Sequence, residues 1–178
     1  MKKIAVLNIK GEKVKDINLN ENVWGIEPND AVLYDAIVLA QNNQRQGSTR
    51  APHWPGGGVV FGPHPRSYSK KMNKKERRLA LLSALSYKFI NSELVVIDDL
   101  KFETNKYKES ANMFKALNAS KNILVVTDEL DENVILSTRN NDEVILLQDN
   151  EINVLDLVSA DKLIITEKAV KNIEEVLS

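Results

Sequence analysis

The sequence predicts an α/β fold: a single domain with a mostly parallel central sheet flanked by helices, an N-terminal hairpin, and a basic arm inserted after the first helix. Three observations carry this expectation. The second half alternates short continuous apolar runs with helical periodicity, the pattern of parallel strands covered on both faces by crossover helices. The first twenty residues read as two strands around a turn. Between these regions the stretch 44–72 has no apolar periodicity and holds four of the five prolines and five of the seven glycines.

Each element has its own signal. Ile4 to Ile9 is an apolar run, Lys10-Gly11 a turn, and Val14, Ile17 and Leu19 continue in broken alternation. Asn29-Asp30 can cap a helix from Ala31 to about Asn43, with Leu33, Ile37 and Ala40 on one face. After the aperiodic stretch, Asn73 with Glu76 three residues on forms a capping-box pattern. It opens a helix through Ile90 that buries Leu82, Leu85 and Phe89. Leu94 to Ile97 is a strand, and Tyr107 to Asn118 a helix with Ala111, Phe114 and Leu117 inward. Strands over Ile123 to Val126, Val144 to Leu147 and Leu163 to Ile165 follow. They are separated by short helices at Glu132 to Thr138 and Val154 to Val158, and Ala169 to Leu177 closes the chain as a helix.

Composition narrows the function. The 178 residues, 43% apolar and 28% charged, suit one soluble globular domain with a real core. There is no cysteine, which excludes disulfides, thiolate zinc sites and a cysteine nucleophile and fits a reducing cytoplasm. The N-terminal apolar run is too short for a signal peptide, and no stretch approaches membrane-spanning length, so no membrane partner is expected. The net charge of −1 hides a sharp asymmetry. From Gln44 to Arg78 nine cations face one acid, Glu76, a net of +8; the remaining 15 cations against 24 acids give −9. An acidic body with one strongly basic segment is the footprint of a protein that meets a polyanion on one side.

Catalytic readings are weaker. Asp98 and Asp99 follow one strand, Asp128 the next and Asp149 the third. Ligands gather at the carboxyl ends of parallel strands, so these acids could hold magnesium for phosphoryl chemistry. An aspartate after a strand is more often a turn former, and no base, nucleophile or phosphate loop accompanies these. The run Gly56 to Gly62 lacks the Lys-Ser/Thr of a Walker loop and neither follows a strand nor opens a helix. His53 and His64, without an acid or thiolate nearby, make a poor metal site. No enzyme activity, cofactor or metal is expected.

The arm interleaves cations (Arg45, Arg50, Arg66, Lys70, Lys71) with planar groups (His53, Trp54, Phe61, Tyr68) and small backbones. Cations neutralise phosphates, aromatics stack on unpaired bases, and Gly56, Gly57 and Gly58 allow a phosphodiester chain to come close. The next helix adds a conflict. Lys74, Lys75, Arg77 and Arg78 crowd its first turns, where the macrodipole disfavours cations by roughly 0.3–1 kcal/mol each. Phosphates at that end would resolve it.

The run Gly47-Ser48-Thr49-Arg50-Ala51-Pro52-His53-Trp54-Pro55-Gly56-Gly57-Gly58-Val59-Val60-Phe61-Gly62-Pro63-His64-Pro65-Arg66-Ser67-Tyr68 resembles the signature of the large-subunit ribosomal protein four family, in its bacterial form. Trp24-Gly25-Ile26-Glu27-Pro28-Asn29, Arg77-Arg78-Leu79-Ala80-Leu81, Ser83-Ala84-Leu85-Ser86, Asn153-Val154, Asp156-Leu157 and Thr166 extend the likeness over essentially the whole chain. The resemblance implies a cytoplasmic, ribosomal α/β protein, monomeric when free. It implies binding to large-subunit rRNA early in assembly, beside neighbouring ribosomal proteins, with an arm directed toward the peptide exit tunnel. Some members also repress their own operon through its mRNA leader. On this reading Arg45, Arg50, Arg66, Lys70, Lys71, Lys74, Lys75, Arg77 and Arg78 contact phosphates, while His53, Trp54 and Tyr68 contact bases or sugars. One departure stands out. The family has a long Arg/Lys/Gly-rich stretch between a Gln-Arg-Gln-Gly-like element and the Gly-Ser-x-Arg element. Here Gln44-Arg45-Gln46 runs straight into Gly47-Ser48-Thr49-Arg50, an arm shortened at its tip by trimming or by natural deletion. A protein-interaction module, using the acidic body to hold a basic partner, is the remaining alternative.

Overall fold

The computed structural model describes residues 2–45, 55–57, 66–102 and 104–177. Six strands form one sheet: β1 (Lys2–Leu7), β2 (Lys13–Leu19), β3 (Leu94–Ile97), β4 (Ile123–Thr127), β5 (Val144–Gln148) and β6 (Lys162–Thr166), in the spatial order β2-β1-β3-β6-β4-β5. The β1–β2 pair is the antiparallel hairpin; every other pairing is parallel. Gly11 closes the hairpin with φ +82°, and a side chain there would meet the Ala116 carbonyl, so this position needs glycine on both counts. The α/β expectation, the largely parallel sheet and the N-terminal hairpin all hold.

Two cores follow from the period-two alternation of the central strands. Val96, Leu124, Val126, Leu163 and Ile165 face one layer, where Trp24, Leu33, Leu85, Leu157 and Ile173 meet them. Those partners come from α1 (Glu21–Trp24), α2 (Asp30–Gln44), α3 (Lys74–Ile90), α6 (Val154–Ser159) and α7 (Glu167–Leu177). Ile97, Ile123, Val125 and Ile164 face the other layer, built by Met113 and Phe114 of α4 (Tyr107–Ala116) and Val134 of α5 (Glu132–Thr138).

Four details differ from expectation. A four-residue helix, α1, precedes the helix taken from the sequence as first, so the expected arm follows the second helix. Asn20 caps α1 by accepting from the Asn22 N–H, and four residues are too few to show a period. The helix expected to reach Asn118 stops at Ala116, because Asn118 turns left-handed at φ 52°. The apolar run of β5 is not buried on both faces: it lies at the sheet edge and Ile145 is exposed. Phe89 is only half-buried and sits under the Lys2 ammonium, 4.9 Å from its ring centre.

Candidate nucleic-acid interface

Helix α3 is the scaffold of the site. Its apolar residues Ala80, Leu82, Ala84 and Leu85 are buried in the first core, and Ser83 and Ser86 are buried with them. Both hydroxyls have partners: Ser86 donates to the Val23 carbonyl at 3.1 Å, and Ser83 accepts the Asn29 N–H at 3.2 Å. Trp24, fully buried, donates from its indole nitrogen to Glu174 at 3.0 Å. These bonds tie the segment before α2 to α3 and to α7. The rest of the helix therefore cannot shift without breaking a buried hydrogen bond.

The first turns of α3 project beyond that anchored part, and Lys74, Lys75, Arg77 and Arg78 are all exposed. Glu76 turns back to accept from the Asn73 N–H at 3.4 Å and from its side-chain amide at 3.2 Å, so the single acid of the turn is used as a cap. Arg78 reaches the Val176 carbonyl at 3.5 Å. Among the described residues no ion pair engages Lys70, Lys71, Lys74, Lys75 or Arg77. Five exposed, unpaired cations within eight positions hold an unscreened positive potential at this end of the molecule.

The two ends of the expected arm meet beside this helix. The Lys70 N–H donates to the Asn43 side chain at 3.0 Å, which fixes the returning chain against the end of α2. The Arg45 and Arg66 guanidinium carbons lie 4.2 Å and 4.4 Å from the centre of the Tyr68 ring. A hydrogen bond to Arg66, reinforced by the charge of Arg45, lowers the Tyr68 pKa below its usual value despite some desolvation. The ring is already occupied by cations, so a base stacks on it only by displacing one of them. Lys70, Lys71 and Met72 then run along α2 toward α3, lining a groove with Val32, Val38 and Leu39.

The structure thus brings Arg45, Arg66 and Tyr68 into one cluster and Lys74, Lys75, Arg77 and Arg78 into another, with Lys70 and Lys71 between. Gly56 and Gly57 are described, Gly56 at φ 69°. Arg50, His53, Trp54 and Gly58 lie outside the described residues, as do Phe61 and His64. Sequence reasoning missed Asn43, whose partner is 27 residues away; an asparagine near a helix end carries no signal of a distant anchor.

The aspartates of the catalytic alternative behave differently. Asp98 pairs with Lys15 at 3.3 Å, Asp99 with Lys101 at 2.9 Å and Asp128 with Lys168 at 3.6 Å, while Asp149 accepts from Asn172 at 2.7 Å. Among the described residues no three His, Cys, Asp or Glu side chains converge as metal ligands. Each acid has a neighbour of its own, and the magnesium reading finds no support.

In this α/β domain Lys70, Lys71, Lys74, Lys75 and Arg77, exposed and without an ion pair among the described residues, gather at the first turns of α3 and just before them. Residues 43–176 match the family described as ribosomal protein L4/L1, and the chain belongs to that family. It is 44% identical to the large ribosomal subunit protein uL4 of Brevibacillus brevis over 207 aligned positions, covering the whole of both chains. Because this chain has 178 residues, at least 29 of those positions are gaps on its side. It is a structural protein of the ribosomal class and not an enzyme.

Proposed function

We propose that this chain is a structural constituent of the large ribosomal subunit that binds large-subunit rRNA early in assembly. Arg45, Arg66, Lys70, Lys71, Lys74, Lys75, Arg77 and Arg78 act as phosphate contacts, and Arg50 joins them from the arm. His53, Trp54 and Tyr68 supply base or sugar contacts, with Gly56, Gly57 and Gly58 admitting the backbone. The observation that carries the reading is the head of α3, where Lys74, Lys75 and Arg77 stand exposed against the macrodipole with no ion pair among the described residues. Neighbouring ribosomal proteins complete its surroundings in the cytoplasmic ribosome, and it is a monomer before assembly. The gaps against the longer relative fit a shortened arm, which limits how far it extends toward the exit tunnel. Binding to its own mRNA leader, and repression through it, would use the same cationic surface.

The test is binding to the 5′ part of large-subunit rRNA at physiological salt with excess transfer RNA as competitor. Selective binding, lost in Arg77→Glu/Arg78→Glu, is expected. Complete competition by transfer RNA would assign specificity to the missing arm tip, and no binding even at low salt would overturn the proposal.

A further inference from the structure

Beside the cationic head of α3 lies a feature that phosphate binding does not require. A groove of about 510 Å³ runs between α3, the segment 151–154 and the end of α7, bounded by Lys74, Arg77, Leu81, Ile152, Asn153 and Leu177, with Glu151 also on the wall opposite α3. A recess of about 150 Å³ continues from it, sharing Leu81, Ile152 and Leu177 and adding Leu85, Ile173 and Val176, with Asp149, Asn150 and Asn172 at its polar side. Leu81, Ile152 and Leu177 are half-buried: each packs on the first core from below and leaves an apolar surface open above. The volume falls within the roughly 300–1,000 Å³ of small-ligand clefts.

The three kinds of lining are separated in space by the elements that carry them. The cations stand on the α3 side, the apolar floor is shared by α3, Ile152 and α7, and Asn153 closes the far side next to Glu151, whose carboxylate keeps a phosphate to the α3 side. Asn153 precedes α6, where an asparagine would ordinarily spend its side chain on the helix N-terminus. Here it makes no capping bond; only its backbone carbonyl serves α6, by accepting the Leu157 N–H at 3.1 Å. Its amide is exposed and carries both a donor and two acceptor lone pairs.

We infer that this groove takes one unpaired nucleotide of the bound RNA, with its phosphate on Lys74 and Arg77, its base on Leu81, Ile152 and Leu177, and its base edge against the Asn153 amide. A phosphate alone would need the cations but not the floor. An apolar peptide would need the floor but not the cations, and a paired base in an A-form helix cannot present a face to a side chain. A nucleotide unstacked at a bulge or loop needs all three, in this arrangement. The amide can meet the Watson–Crick or Hoogsteen edge of a base with a donor and an acceptor together. The inference rests on the RNA-binding reading above and adds to it the chemical state of one nucleotide and the side chain that reads it.

The experiment uses the full chain and two RNA hairpins of one sequence, fully paired or with a single-nucleotide bulge of 2-aminopurine, at about 50 mM salt where phosphate contacts alone sustain binding. The bulged hairpin is expected to bind about tenfold tighter than the paired one, with a change in 2-aminopurine fluorescence. Asn153→Ala should remove most of that preference while leaving affinity for the paired hairpin and the melting temperature unchanged, because the side chain makes no capping bond and no other hydrogen bond among the described residues. Leu81→Ser, checked for folding by its circular dichroism, should remove the fluorescence change. Equal binding of the two hairpins by the natural sequence, or a preference that survives Asn153→Ala, overturns the groove assignment and leaves the RNA-binding reading standing. Failure to bind either hairpin overturns both.

Discussion

The head of α3 and the carboxyl edge of the sheet use the same charges in opposite ways. At the sheet edge Lys15 bridges Asp98 and Glu167, Lys101 holds Asp99, Lys168 faces Asp128 and Lys171 returns to Glu167. At the head of α3 and just before it, Lys70, Lys71, Lys74, Lys75 and Arg77 have no such partner among the described residues. In the first region the aspartates that end the strands each have a cation or amide partner. The second carries an electrostatic cost that its own fold does not offset. A net charge of −1 conceals this division, because it sums the +8 of residues 44–78 with the −9 of the rest of the chain.

The largest effect should come from reversing charge in each region separately. Arg77→Glu/Arg78→Glu should weaken binding to the rRNA fragment by about a hundredfold and flatten its salt dependence, since each lost phosphate contact removes about one unit of slope. Lys101→Glu/Lys168→Glu changes the net charge by the same amount but should change RNA affinity less than about threefold, apart from long-range repulsion screened beyond about 10 Å at 0.1 M salt. Equal losses in the two variants, measured by filter binding across a salt series, would mean that total charge matters and the division does not.

A second pair of substitutions separates stability from function. Lys74→Glu/Lys75→Glu places acids where the helix dipole favours them, so the melting temperature should rise by about 1–4 °C. RNA affinity should fall about tenfold in the same variant. A variant that becomes more stable and binds less well is the expected mark of residues kept for a ligand. Loss of both stability and binding would show that the lysines contribute to packing, contrary to their exposure.

Much of the fold was legible because its signals are local. The i, i+3, i+7 spacing of Leu82, Leu85 and Phe89 on one helix face, and the apolar runs of β3, β4 and β6, specify their elements within a few residues. The burial of β5 was not legible. Val144-Ile145-Leu146-Leu147 reads like Ile123-Leu124-Val125-Val126, and only the strand order puts one at the edge and the other inside. The four residues of α1 fall below any period, and Trp24 gave no sign that its indole would meet Glu174, 150 residues away. In the interface the residue types were legible and their pairings were not. Arg45, Arg66 and Tyr68 were expected to face RNA separately, whereas the fold stacks them on one another. The open groove by Asn153 was missed because an asparagine before a helix reads as a cap.

Smaller effects belong to the sheet edge. Thr127, at the end of β4, keeps its hydroxyl buried without a hydrogen-bond partner among the described residues. A buried polar group without a partner costs roughly 1–3 kcal/mol, and valine has nearly the same shape. Thr127→Val should therefore stabilise the protein by about 1 kcal/mol in urea unfolding, with RNA binding unchanged. A loss of stability would show that the hydroxyl has a partner in solution.

The gentlest test uses pH. Glu167 titrates below its ordinary value of 4.5, first because Lys15 bonds to it and then because Lys171 does, against the opposing effect of burial. A carboxylate held low in the folded state contributes stability that is complete above its unfolded pKa and is lost as pH falls through the folded one. Unfolding free energy should accordingly be steady above about pH 5 and decline below pH 4.5, and Glu167→Gln should make that decline shallower. The same substitution should leave RNA affinity at pH 7 untouched, because the charge it removes is already committed to Lys15 and Lys171. Altered affinity at pH 7 would couple the two regions and break the division between them, since the edge would then be setting the potential felt at α3.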